Sequence, residues 1–98
     1  PGEKELLDYL FKNGFRLPDY TNHNMEEFYI QPDFVYKKEN ALIFVDGGIH
    51  KQTANKADDF SKRKTLKDSG YDVLVWDYTS EDVATFVNKR EDIFRKLR

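Results

Sequence analysis

The segment Ala41-Leu42-Ile43-Phe44-Val45-Asp46 constrains this chain more than any other. It is apolar at every position up to Asp46 and rich in β-branched and aromatic side chains, so it reads as a strand buried on both faces. A strand of that kind needs a covering layer on each side, which requires helices packed above and below a sheet. Gly47-Gly48 breaks it. Upstream, Phe28 to Gln31 reads as a short strand, and Pro32 marks a strand start, an edge or a bulge. Asp33 to Tyr36 continues extended. Lys37-Lys38-Glu39-Asn40 is a polar turn, so 34–36 and 42–44 are expected to form an antiparallel hairpin.

The remaining elements follow from periodicity. Leu6, Leu7, Leu10 and Phe11 make one helical stripe within Glu3 to Asn13, with Gly14 as the stop. Phe15 to Leu17 reads as a short strand and residues 19 to 27 as a loop. Lys56 to Ser69 reads as a helix ended by Gly70. Tyr71 to Trp76 follows as a strand with Val73, Leu74 and Val75 as a buried run, and Trp76 as core or sheet edge. Thr79 or Ser80 is expected to cap a last helix that begins Glu81-Asp82. Its apolar side is Val83, Phe86, Val87, Ile93, Phe94 and Leu97. The expected order is α-β-β-β-α-β-α, an α/β domain with a central mixed sheet flanked by helices.

Ninety-eight residues make one domain, and 39% hydrophobic content with 15% aromatic content is enough for one core. The absence of cysteine removes disulfides, thiolate metal sites and cysteine nucleophiles, and agrees with a reducing, cytoplasmic setting. The longest apolar run, Ala41 to Val45, is too short to cross a bilayer, so no membrane partner is expected. No stretch reads as a signal peptide, and the chain is expected to be a piece of a longer protein. Net charge is −2, yet cations cluster locally at Lys51, Lys56, Lys62, Arg63, Lys64 and Lys67 and again at 89–98. A local basic face can bind phosphate despite a slightly acidic mean.

Asp33 and Asp46 carry the chemistry. They stand on the two arms of the expected hairpin, and the turn between the arms folds them toward each other. Taken singly, each is an ordinary turn residue, in Pro-Asp or Asp-Gly. Taken together at the end of a buried strand, two carboxylates repel unless a cation lies between them. Oxygen donors at a partly open site suit Mg²⁺ or Mn²⁺, and such an ion can orient a water and stabilise a phosphate under attack.

The run Gln31-Pro32-Asp33-Phe34-Val35-Tyr36, a short turn, and Ile43-Phe44-Val45-Asp46-Gly47-Gly48-Ile49-His50 resembles the core of the PD-(D/E)XK nuclease superfamily. Within it the chain most resembles the very-short-patch repair endonucleases and the small related domains often fused to helicases. The likeness takes in Glu3, Leu6 and Leu10, then Asp59, Arg63, Leu66, Gly70 and Tyr71 to Trp76, so it spans residues 3 to about 77. The resemblance implies a restriction-endonuclease-like core and a metal-dependent DNA endonuclease acting in repair, restriction or defence. It implies Asp33 and Asp46 as metal ligands, helped by a backbone carbonyl near Asp46. His50 would be the general base or would polarise the phosphate. Glu3 would line the site from the first helix. Asp59 and Arg63 would sit near the substrate backbone, although Arg63 is equally placed to pair with Asp59 at i, i+4. The DNA-binding cations are Lys51, Lys56, Lys62, Arg63 and Lys67.

The chain departs from the pattern at two points. The usual acid-x-Lys is here Asp46-Gly47-Gly48, with His50 as the substitute for the lysine. The position two residues before the aspartate, often acidic in the helicase-fused domains, is Phe44. The repair enzymes carry a structural zinc held by cysteines; this chain has none, so no structural zinc is expected. Two further functions compete with the enzyme: a nuclease fold without activity that grips DNA for an attached helicase, and a protein-interaction domain using Phe28, Tyr29 and Tyr36.

Overall fold

Ala41–Asp46 is a central strand, with its first four residues buried and its last two partly so. The computed structural model describes residues 2–28, 30–47 and 53–95, with the backbone alone for residues 28 and 53–60. The elements are α1 (Gly2–Lys12), β1 (Tyr20–Thr21), a 3-10 turn (Glu26–Phe28), β2 (Phe34–Tyr36), β3 (Ala41–Asp46), α2 (Thr53–Asp68), β4 (Asp72–Asp77), α3 (Val83–Asn88) and α4 (Glu91–Phe94). The sheet order is β1-β2-β3-β4. β2 pairs with β3 as the expected antiparallel hairpin, Phe34 opposite Ile43 and Tyr36 opposite Ala41. β3 and β4 run parallel, with Ala41 opposite Asp72 and Asp46 opposite Asp77. Parallel neighbours need a crossover, and α2 supplies it.

Alternation along the strands divides the interior into two layers. Phe34, Tyr36, Ala41, Ile43, Leu74 and Trp76 meet Leu6 and Leu10 of α1 together with Phe86, Val87, Ile93 and Phe94 of α3 and α4. Val35, Leu42 and Phe44 point the other way, to Leu66 of α2 and to Met25. The result is a mixed sheet with helices on both faces, which agrees with the α/β class expected from the sequence.

Both predicted glycine stops are αL positions of Schellman turns. After α1, Gly14 has φ 74°, the Phe15 N–H donates to Leu10 O at 2.9 Å and the Gly14 N–H to Phe11 O at 3.4 Å. After α2, Gly70 has φ 102°, with Tyr71 N–H donating to Leu66 O at 3.1 Å and Gly70 N–H to Lys67 O at 3.0 Å. A side chain at either glycine would meet the αL penalty.

Several local expectations are corrected. Phe15 to Leu17 is no strand: the Arg16 N–H turns to the carbonyls of Phe94 and Arg95 at 2.8 and 2.9 Å. The first strand is instead Tyr20–Thr21, inside the stretch read as loop, because it finds a partner in Phe34 and Val35. Of the expected strand Phe28 to Gln31, Phe28 ends a 3-10 turn, Ile30 bridges to Met25, and Tyr29 lies outside the described residues. Phe11 is 75% exposed, since the buried stripe of α1 is only Leu6 and Leu10 wide. Val75 is 40% exposed rather than part of a buried run. Trp76 is core, its Nε1–H donating to Glu81 O at 2.8 Å. The last helix is two short ones, and its cap is Asp82 rather than Thr79 or Ser80, with the Asp82 carboxylate accepting from Thr85 N–H at 2.8 Å. Tyr36 is fully buried and donates its hydroxyl to Arg16 O at 2.7 Å, so it cannot serve an interaction surface; Tyr29 and the Phe28 side chain lie outside what is described.

Candidate functional site

The candidate site lies at the end of the sheet where β2 starts and β3 and β4 finish. Because β2 is antiparallel to β3, Asp33, just before β2, comes to the same end as Asp46, the last residue of β3. The parallel register brings Asp77 beside Asp46. The N-terminus of α1 closes on this end: a Cβ at Gly2 would fall against Val45 Cγ1 and 2.7 Å from Tyr78 Cδ2. Glycine therefore permits a close approach that places Glu3, the next residue, at the acidic end.

Asp33 is built into the sheet. Its backbone N–H donates to Ile43 O at 2.9 Å and its carbonyl accepts from Asn22 N–H at 2.9 Å. Its Oδ2 accepts from Val45 N–H at 2.7 Å, so the carboxylate continues the ladder where Pro32, lacking an N–H, interrupts β2. Asp33 is a neighbour of the Glu3 carboxyl. A hydrogen bond from its own backbone N–H holds Glu3 below the ordinary carboxylate range, against burial, which acts upward, and the contact with Asp33 adds to the lowering.

Asp46 is half-buried, and its carbonyl accepts from Tyr78 N–H at 3.3 Å. Asp77 was not singled out from the sequence. Its Oδ1 accepts from Thr79 N–H at 3.0 Å and from Thr79 Oγ1 at 2.5 Å, so it fixes the turn after β4. The signal for it was present, since an aspartate ending an apolar parallel strand is carried to the same edge as its neighbour.

The arrangement thus sets Glu3 beside Asp33 and puts Asp46 at the same end of the sheet. Among the described residues no three His, Asp or Glu side chains are grouped closely enough to hold a metal ion. His50 and Lys51 lie outside the described residues, as do the side chains of Lys56 and Asp59. The remaining predicted cations lie on α2, in the layer opposite α1. The Arg63 guanidinium stacks 4.7 Å over the Phe44 ring, and its Nε is buried without a hydrogen-bond partner among the described residues. Arg63 and Lys67 share a cavity of about 310 Å³ with Lys64, over Val73 and Val75. Lys62 is half-buried on the same helix. Among the described residues no helix is long and apolar enough to cross a membrane. No family model, curated protein or solved structure matches this chain.

Proposed function

We propose that this chain is a metal-dependent DNA endonuclease domain with a restriction-endonuclease-like core, working in a cytoplasmic setting. One observation carries the reading: Asp33 before β2 and Asp46 ending β3 lie at the same end of a mixed sheet, and Glu3 near the start of α1 is a neighbour of Asp33. Neighbouring carboxyls repel once both are ionised, and a divalent cation relieves that repulsion. Hard oxygen donors match Mg²⁺ or Mn²⁺, which would be held by Asp33 and Asp46 with a backbone carbonyl beside Asp46. Bound there, the ion would supply an activated water and charge stabilisation at the scissile phosphate.

The chain's own groups have separable tasks. Val45 N–H holds Asp33 Oδ2 in place, which fixes the orientation of the carboxylate. Glu3 orients Asp33 from the helix side. His50 would take the proton from the attacking water. Lys51, Lys56, Lys62, Arg63 and Lys67 would hold the DNA backbone, which positions a substrate without reading its sequence.

The deciding experiment is plasmid nicking in Mn²⁺ by the chain and by its Asp33→Asn variant. Nicking that vanishes in the variant supports the reading; nicking that survives it means another site or a contaminant. A second reading, a DNA-gripping module beside a helicase, draws on Phe44. That side chain is 5% exposed and lies under Arg63, so the position supplies packing where an active relative would have an acid. Salt-dependent DNA binding with no amide shift at residues 33, 46 and 47 in millimolar Mg²⁺ would select that reading over the enzyme.

A further inference from the structure

At the opposite end of the sheet from the acids, a cavity of about 290 Å³ opens between β1, the β2–β3 turn and the start of β4. β3 is six residues long, so this cavity lies about 20 Å from Asp46 at the usual rise of a strand. Its floor is apolar and buried: Val35 is 7% and Leu42 1% exposed. Its walls are aromatic. Tyr20 and His23 stack with ring centroids 5.0 Å apart and planes 24° from parallel, and Tyr71 also lines the cavity. Tyr20 keeps 42% of its surface exposed while stacked on His23.

The rim carries two polar side chains, Lys37 and Asn40. The fold holds both in place through their backbones. Lys37 N–H donates to Asp19 Oδ2 at 2.7 Å. Asn40 sits at φ 52°, donates its N–H to Lys37 O at 3.1 Å and accepts from Asp72 N–H at 2.9 Å. Neither the Lys37 ammonium nor the Asn40 amide bonds another described residue. The loop therefore presents a cation and an amide on the same cavity as a stacked aromatic pair, and no described residue bonds either head group.

These parts match one ligand chemistry. The open face of a stacked ring takes a planar aromatic group, an amide takes donor and acceptor positions on its edge, and an ammonium takes an attached anion. The volume sits at the lower end of small-ligand pockets, roughly 300 Å³, which suits one such unit. We propose that this cavity binds a single nucleotide, with its base stacked on the outer face of the Tyr20–His23 pair, its edge at Asn40 and its phosphate at Lys37. The nucleotide comes either free or as one unpaired unit of a nucleic-acid strand. Nothing in the site uses Glu3, Asp33 or Asp46, so the inference stands apart from the metal reading.

The test is an NMR titration of the full 98-residue chain in EDTA, so that a failed metal site cannot affect the result. The probes are deoxyadenosine monophosphate, a thymidine octamer and deoxyribose 5-phosphate. The nucleotide or the octamer should shift the amides of Thr21, His23, Lys37, Asn40 and Tyr71. Tyr20→Ala should weaken binding at least about fivefold, the lower bound for one base stacked on an aromatic ring. Lys37→Met, at an exposed position, should weaken the nucleotide and leave the free nucleoside unchanged. Equal affinity for both nucleotide and octamer assigns a free nucleotide; an octamer that binds far more tightly assigns a strand. Absence of shifts with both, equal shifts with the base-free sugar phosphate, or undiminished binding by a folded Tyr20→Ala chain would overturn the proposal.

Discussion

The Asp33 carboxylate accepts a hydrogen bond from the Val45 backbone N–H at 2.7 Å, so the residue expected to bind metal also completes the sheet. The two roles separate by substitution. Asp33→Ala leaves a partly buried donor unsatisfied and should cost about 1–2 kcal/mol, read by urea denaturation. Asp33→Asn keeps an acceptor oxygen and should lose less than half of that. Both should abolish metal-dependent nicking, because the ion requires the charge. An Asn variant as unstable as the Ala variant would show that the carboxylate's charge, not its shape, holds the edge.

Gly2 is a packing position. Gly2→Ala would ordinarily favour a helix, by less than the roughly 1 kcal/mol of an interior position because Gly2 is the first residue of α1. Here the added methyl meets Val45 and Tyr78. The expected result is a net loss of about 1–2 kcal/mol from overpacking. A stabilised variant in thermal melts would mean that α1 can shift, and Glu3 would then be poorly fixed relative to Asp33.

The bidentate pair Arg16–Glu39, at 2.7 and 2.8 Å, predicts a pH dependence. Hydrogen bonds from the Arg16 guanidinium hold the Glu39 carboxyl below the usual carboxylate range. The unfolded chain therefore binds a proton at Glu39 more readily than the folded chain does. Stability from this pair is present above the ordinary glutamate pKa, about 4.3, and is lost as pH falls through the lower folded value. Denaturation midpoints between pH 6 and pH 3 should fall less steeply in Glu39→Gln than in the parent. At pH 7 that variant should be about 1 kcal/mol less stable, since both side chains are about four-fifths buried.

The α2 cations give a prediction that does not depend on cleavage. If Lys67 contacts a phosphate, Lys67→Ala lowers the slope of log affinity for DNA against log salt by about 0.9, across all sequences. Arg63→Ala should also lose the stack on Phe44, about 0.5–1 kcal/mol of stability. Fluorescence anisotropy at several salt concentrations checks the first, and chemical denaturation the second. An unchanged slope for Lys67→Ala would remove that residue from the DNA-binding set.

What the sequence determined by itself was local. The apolar run at 41–45, the polar turn at 37–40 and the glycines at 14 and 70 each depend on neighbours within a few residues, so the hairpin and both helix stops were legible. That Asp33 and Asp46 lie at the same end of the sheet followed from the same hairpin. Only the tertiary structure decided which short segments became strands. Tyr20–Thr21 is a strand because Phe34 and Val35 lie beside it, while Phe15 to Leu17 is none because the Arg16 N–H is claimed by the carbonyls of Phe94 and Arg95. Long-range partners also brought Glu3 beside Asp33, set Asp77 beside Asp46 and buried Tyr36, which the competing interaction-domain reading placed at a surface. The physical reason is that a two- or three-residue segment has too little periodicity to state its partner, and a side chain's exposure is fixed by what packs over it.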